Sequence, residues 1–389
     1  MNISRTDYLL LRIAQAAASL FQSVGDLESS LLRHRLNAIP IESPIFVCGL
    51  ARSGTTILLE ELSKLSQVAT HRYRDFPFLM TPWIWNRILD RSRVEQPPTD
   101  RPHQDRIRIT PESPEAFEEP IWQFFFPDLH AADALHRLSG ERRFAGFEAF
   151  FKDHIRKILL IRRQHRYLSK GNYNVARIEY LATLFPDARF IVPIRHPFTH
   201  VQSLVRQHAL FTQYARNDPR VPGYLMAAGH YEFGPQRIPI RLSHEAGNRI
   251  REAWQRGDDA TGYATQWAEI YRFVDRLRHD ANSLAERILV VRYEDFCDRP
   301  QQVVRDILRH ANLDSETTID PRAFEHITPP PGGSASDLPD DFRETVWRET
   351  ESVARLFGYS PTDDAIRDDG SNASTAARVS KLLTAIAFR

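Results

Sequence analysis

The sequence is short of several things, and each shortage narrows what the chain can be. It has two cysteines in 389 residues, Cys48 and Cys297. They form neither a metal-ligand spacing nor a disulfide framework, which points to a reduced compartment. Net charge is almost absent: Lys+Arg 51 against Asp+Glu 50 leaves +1, so nothing suggests a nucleic-acid partner. No apolar run reaches the ~18 residues of a membrane span. Residues 6–24, TDYLLLRIAQAAASLFQSV, come nearest, but Arg12 and Gln15 interrupt them, and they do not read as a signal peptide. The periodicity predicts a helix with Leu9, Ile13, Ala16 and Leu20 on one face and Leu10, Ala17 and Phe21 beside them. That face is expected to pack on the domain; the other reading is a helix lying on a membrane surface. A soluble, cytoplasmic protein is expected. Lysine is scarce beside arginine, and 15 histidines accompany it. That suits local anion sites, although an arginine-rich genome gives the same bias.

Another absence is sharper. Residues 44–62, PIFVCGLARSGTTILLEEL, run from an apolar stretch through a turn into a helical pattern. Gly49-x-x-x-x-Gly54 has the spacing of a phosphate-binding P-loop, with Thr56 where that motif carries Ser or Thr. Position 55, where the P-loop lysine belongs, is Thr55. The partner aspartate for Mg²⁺ is missing too, since no run of four apolar residues ends in a suitable aspartate.

The rest of the chain alternates. Short apolar runs at 45–48, 166–169, 189–194 and 287–291 read as buried strands. Helical patterns follow them at 55–65, 175–185, 198–208 and 300–311. Such alternation implies βαβ units and a parallel sheet: an α/β, P-loop-type three-layer fold with a central parallel sheet flanked by helices. Two stretches break the pattern, 86–120 and 209–260. Insertions of this length are expected over the carboxyl edge of the sheet, where ligands bind. The expected organisation is a helical extension over 1–43, one domain over 44–360 and a polar tail over 361–389, mobile or lightly docked.

A strand–helix turn offers backbone N–H groups and the positive end of a helix dipole to an anion. Gly54 lets the backbone approach, and Arg52, Ser53, Thr55 and Thr56 add donors. Within residues 189–208, RFIVPIRHPFTHVQSLVRQH, Arg195 leaves a strand end and Ser203 lies two turns into the next helix. That pair can close on a second anionic group. The ligand is therefore expected to carry phosphates at two separated places.

These motifs resemble the PAPS-dependent sulfotransferase family. FVCGLARSGTT resembles the 5′-phosphosulfate loop of bacterial and Golgi-type members, in the form GxxRSGTT. RFIVPIRHPFTHVQSL resembles the family's 3′-phosphate motif, and VVRYEDFCDRPQQVVRDIL, residues 290–308, its YED element. The resemblance implies 3′-phosphoadenosine 5′-phosphosulfate (PAPS) as co-substrate, without a metal. PAPS has one 5′-phosphate and no γ-phosphate, so the missing lysine is not needed; its extra charge is a ribose 3′-phosphate. On this resemblance Arg52, Ser53, Gly54, Thr55, Thr56, Arg195 and Ser203 bind the donor. Arg52 and Lys170 supply cations at the leaving group, although Lys170 stands in Lys-Gly-Asn and not in the family's Lys-Thr-Pro or Lys-Ser-Pro. The catalytic base is expected about twenty residues after the loop, in THRYRDFPF (70–78). Asp75 is the first candidate and His71 the second; Glu118 and Glu119, with Asp105 and His103, are rivals. Trp122, Phe124, Phe125 and Phe126 are either the floor of an acceptor groove or core. The acceptor is a hydroxyl, with carbohydrate or a lipid-linked glycan favoured by the resemblance. A P-loop kinase using ATP–Mg²⁺ and a non-catalytic PAPS-binding scaffold are the competing readings. The sequence leaves the oligomeric state open.

Overall fold

The computed structural model describes residues 3–91, 97–103, 108–131, 133–280, 284–313 and 337–362. Among them are strands β1 Ile45–Cys48, β2 Val68–Ala69, β3 Thr99–Asp100, β4 Arg108–Ile109, β5 Arg166–Gly171, β6 Arg189–Ile194 and β7 Ile288–Arg292. Five of these form one parallel sheet in the order β2–β5–β1–β6–β7, while β3 and β4 make a separate antiparallel pair. β1 is central, with Ile45 beside Leu168 on one side and Arg189 on the other. All four of its residues are buried, as a strand covered on both faces requires.

Alternation along the strands divides the interior into two cores. Phe46 and Cys48 join Phe190, Val192 and Tyr167, packed under Phe151 of the Ala145–Arg162 helix and Trp267 of the Asp259–His279 helix. Ile45 and Val47 join Leu168 and Ile191, packed under Leu58 and Leu62 of the Thr55–Ser63 helix and Ile307 of the Pro300–His310 helix. The three-layer α/β fold expected from the alternation is the fold observed. β2 was not foreseen because two residues make no apolar run. The helix expected over 175–185 begins instead as a tight turn at Tyr173–Arg177 and is α-helical only over Ile178–Leu184. The one expected over 198–208 runs on from Pro197 to Asn217. Residues of the expected tail from 363 onward lie outside the described residues.

The N-terminal segment corrects the sequence reading. It forms two longer helices, α1 (Arg5–Ala16) and α2 (Ala18–Leu31), joined at Ala17, and a short third one at Arg33–Asn37. The Leu9/Ile13/Ala16/Leu20 face expected against the domain is exposed. The inward face is set by polar and backbone contacts that apolar periodicity does not see. The Gly25 carbonyl accepts from Lys157 Nζ at 2.7 Å. Glu28 pairs with the same Lys157 at 2.9 Å and accepts the Ile84 N–H at 2.6 Å. Gly25 lies so close to Met80 that a Cβ there would sit 2.3 Å from the Met80 carbonyl oxygen. Leu11 and Leu32 complete the buried side. No helix among the described residues is long and apolar enough to cross a membrane.

Candidate active site

β1 lies between β5 and β6, and all three strands end at one edge of the sheet. Such a switch point is where open α/β sheets bind ligands. After β1 the chain turns through Gly49–Gly54. Arg52 has φ +71° and Gly54 φ +101°, both in the left-handed region that only glycine occupies without strain. A Cβ on Gly54 would sit 2.6 Å from the Tyr293 ring. Ser53 closes the turn: its N–H and its hydroxyl both donate to the Leu50 carbonyl, at 3.2 and 2.7 Å. The hydroxyl expected to reach a ligand is thus turned inward. His200 Nε2–H donates to the Ala51 carbonyl at 2.9 Å. A cleft of about 370 Å³, open to solvent, lies over this loop, with Ala51, Arg52, Thr55 and Thr56 in its lining. The unpaired N–H groups of a helix's first turn and its dipole favour an anion at such a wall.

Arg52 Nε donates to Ser203 Oγ at 3.2 Å, which joins the loop to the Pro197–Asn217 helix. Arg195 leaves β6 close by. Its Nε donates to Thr199 Oγ1 at 3.0 Å, and its guanidinium lies 5.2 Å over the Tyr293 ring. Burial, with Arg52 adding to it against the opposing pull of Tyr293 and Glu294, lowers the Arg195 pKa from its ordinary value. Two arginines are thus held near each other in a confined space, an arrangement that an anion relieves. The strand-end turn is clamped by Glu294, which accepts the His196 N–H and the Tyr359 O–H, each at 2.8 Å.

Lys170, near the end of β5, also lines the cleft. Its Nζ lies 3.7 Å from Glu115 Oε1, and Arg101 Nη2 lies 3.2 Å from Oε2. Tyr73 O–H donates to the same carboxylate at 2.5 Å. Burial by itself would raise the Glu115 pKa; Arg101, Lys170 and Tyr73 outweigh it and hold the carboxyl well below its usual range. Glu115 therefore holds two cations, Arg101 and Lys170, at the cleft. Arg101, Asn172, His230 and Glu232 line the cleft without having been foreseen. Arg101 lies in the 86–120 excursion, and His230 and Glu232 lie in the 209–260 excursion. The excursions signalled the region, and nothing in their composition singled out the residues.

The first candidates for a base are elsewhere. Asp75 is 0 % exposed. Its Oδ1 accepts from Asn86 at 2.9 Å and Arg162 at 2.7 Å, its Oδ2 from Arg162 at 2.6 Å and the Arg72 N–H at 2.8 Å. Burial alone would raise its pKa; the His71 hydrogen bond, the Arg162 charge and Asn86 overcome it and keep the group ionised well below the usual range. A carboxylate so fully engaged has no lone pair for an acceptor. Distance from the loop did not reveal that the chain after β2 turns inward onto the Ala145–Arg162 helix. His71 is buried against His154, Nε2 to Nε2 at 3.0 Å. Glu118 accepts from Tyr167 at 2.5 Å and Asn174 at 3.2 Å, and Glu119 is clamped by Arg177 at 2.8 and 2.7 Å. All are spent on structure. Trp122 and Phe126 belong to the core, with Phe124 and Phe125 packed against it. Asp105 lies outside the described residues.

His103 is the rival that reaches the cleft. Gln207 Nε2 donates to the His103 carbonyl at 3.0 Å, so its amide oxygen faces the ring and accepts from Nδ1 at 3.1 Å. The ring hydrogen therefore sits on Nδ1, and Nε2 keeps its lone pair. Burial, then Arg101, Arg52 and His230, push the His103 pKa well below its ordinary value, so the imidazole is neutral. Among the described residues no group of His, Cys, Asp and Glu is arranged to hold a metal ion.

Residues 44–232 match the sulfotransferase family. None of the curated proteins matches the chain. Among solved structures, sulfotransferase STF1 from Mycobacterium tuberculosis H37Rv is 15 % identical, with 85 % of this chain and 81 % of that one covered, at a TM-score of 0.42. STF9 from Mycobacterium avium is 16 % identical over 91 % and 81 %, also at 0.42. A sulfotransferase from Alicyclobacillus acidocaldarius is 14 % identical over 83 % and 98 %, at 0.40. Likenesses this distant leave the assignment to the family match, which spans the loop after β1, Lys170 and the Arg195–Ser203 unit. Over those residues the chain is similar to the sulfotransferase family.

Proposed function

We propose that the chain transfers a sulfuryl group from PAPS to an acceptor hydroxyl, with a carbohydrate or lipid-linked glycan as the favoured acceptor. The observation that carries this reading is the Arg52–Ser203 contact of 3.2 Å, which ties the turn after β1 to the helix after β6; on this reading the two together hold the anionic groups of one donor. The residues present fit the donor. The first turn of the Thr55–Ser63 helix, with Thr55 and Thr56, suits a 5′-phosphosulfate. Arg195 with Ser203 suits the 3′-phosphate, and the depressed Arg195 pKa marks a site that gains from added negative charge.

Bound there, PAPS supplies an activated sulfuryl group. The chain's own part is to position and to manage charge. Arg52 and Lys170 offer cations where the leaving 5′-phosphate oxygen gains charge. Lys170 is held for this by Glu115, at 3.7 Å. His103 Nε2 takes the acceptor proton as the new S–O bond forms, while Gln207 steadies Nδ1–H at 3.1 Å. Neither step calls on a metal ion. The test is a turnover assay with PAPS and a panel of hydroxyl acceptors, read as release of adenosine 3′,5′-bisphosphate, beside titrations with that product and with ATP–Mg²⁺. Sulfation with tight binding of the bisphosphate supports the reading. Turnover of ATP–Mg²⁺ would replace it with a kinase, and binding without turnover with a scaffold.

A further inference from the structure

The outward face of α1 and α2 is apolar. Leu9, Ile13, Leu20, Leu27 and Leu31 are 59, 44, 62, 58 and 74 % exposed, five of the ten exposed large apolar side chains among the described residues. Ala16 is exposed with them. The opposite face is already occupied by Leu11, Gly25 and Glu28 against the domain. The two helices run on from one another: Ala17 leaves helical geometry at φ −109° and ψ 25°, but its N–H to Ile13 at 3.0 Å and Phe21 N–H to Ala17 at 2.9 Å carry hydrogen bonding across the joint, and the exposed apolar positions continue on both sides of it. Lys157 fixes α2 to the body through Gly25 and Glu28.

The geometry of this stripe says what covers it. With 3.6 residues per turn, the six positions fall within an arc of about 60°. Ile13, Leu20 and Leu27 repeat every seven residues. A stripe this narrow, with that period, is the seam of a helix pair and not the broad face that lies in lipid. It is also a palindrome about Leu20. Leu9 and Leu31 stand equally far from it on either side, as do Ile13 and Leu27, and Ala16 and the half-buried Val24. A two-fold axis at Leu20 therefore sets each apolar residue of one copy against an apolar residue of the other. The charges agree. Arg12 and Asp26 are exposed on the same flank, one before and one after Leu20. Antiparallel pairing brings Arg12 of each copy alongside Asp26 of the other.

We propose that this face binds a second copy of the chain, as an antiparallel two-fold dimer of α1–α2 centred on Leu20. Sedimentation of the full chain across a concentration series should give a dimer mass. Leu20→Glu sets two carboxylates face to face and should raise the dimer dissociation constant at least ~100-fold. Its melting temperature at concentrations where both proteins are monomeric should be unchanged, because Leu20 contributes nothing to the protomer's core. Register is read by cysteine cross-linking with a short bismaleimide. Leu20→Cys should couple to itself, and Leu9→Cys should couple to Leu31→Cys only when the two are mixed. The wild type, with Cys48 buried and Cys297 half-buried, gives the background. A monomer at every concentration, a dimer indifferent to Leu20→Glu, or Leu9→Cys coupling to itself would each overturn the proposal. A monomer that binds phosphatidylglycerol vesicles through Leu20 would overturn it in favour of a membrane surface.

Discussion

At the scale of single residues, the groups proposed for chemistry and the groups spent on structure should respond differently to substitution. His103→Gln removes the Nε2 lone pair. Turnover should fall by ~10²–10⁴, with adenosine 3′,5′-bisphosphate binding kept within a few-fold by titration. The pH dependence has a definite sign. The free imidazole is depressed by burial, Arg101, Arg52 and His230, so it remains a base at pH 6.5 and below, and kcat/KM should stay level there. A bound anionic donor offsets those arginines and raises the pKa. The acid limb of kcat should therefore lie at higher pH than that of kcat/KM. Coincident limbs would exclude His103 as the base. Asp75→Asn is expected to act on folding. It leaves Arg162 buried without its charge partner, at a cost of ~3–5 kcal/mol in urea unfolding. The depressed carboxyl pKa means that this stability is present above the unfolded value of ~3.9 and is lost as the pH falls through the folded one. The gap between wild type and variant should narrow on acidification below about pH 4. Arg195→Ala should weaken adenosine 3′,5′-bisphosphate by ~1.5–3 kcal/mol while leaving adenosine 5′-phosphosulfate, which lacks the 3′ group, nearly unchanged. Equal losses for both ligands would remove the 3′-phosphate from Arg195.

At the scale of elements, the loop after β1 and the helix it opens behave as one part with Tyr293. Gly54 combines φ +101° with a ring 2.6 Å from any Cβ. Gly54→Ala should cost ~1–3 kcal/mol of strain, read as weaker bisphosphate binding and a lower melting temperature. Combining it with Tyr293→Ala should recover part of the loss, giving a non-additive cycle. The elements most legible in the sequence were those whose local pattern and tertiary role agree. IFVC, RFIVPI and RILVV are apolar on both faces because both faces are covered, and strand assignments there hold to within a residue or two. Legibility failed where a polar contact decides. Nothing local marks Asp75 as the partner of Arg162, since the two meet only through packing of distant segments. The leucine stripe of α1 reads as a core face by periodicity alone. It faces outward because Gly25, Glu28 and Lys157 dock the other side. The glycine spacing and the strand–helix unit that carries Arg195 and Ser203 were legible, because each is local; the expected pairing of those two side chains is not what the structure shows, since Arg195 bonds Thr199 and Ser203 bonds Arg52. Arg101 and His230 were not, because irregular excursions carry them to the cleft.

At the scale of the whole molecule, the proposed function uses only cations and an imidazole, so turnover should persist in the presence of a chelator, and full loss with recovery by Mg²⁺ would contradict that. The sheet order has a consequence of a different kind, in the life of the chain before it is finished. Among the described residues β1 pairs with β5 and β6, and about 120 residues separate its end from the start of β5. At the ~5–20 residues per second of synthesis, β1 leaves the ribosome roughly 6–24 s before its first partner exists. Through that interval Ile45–Cys48 is an apolar strand with both edges open, which is a template for pairing with other nascent chains. The central strand that later anchors the loop after β1 is thus a segment that a holdase would protect during translation. Yield of soluble protein should respond more to chaperone supply and slowed growth than to any substitution at the cleft.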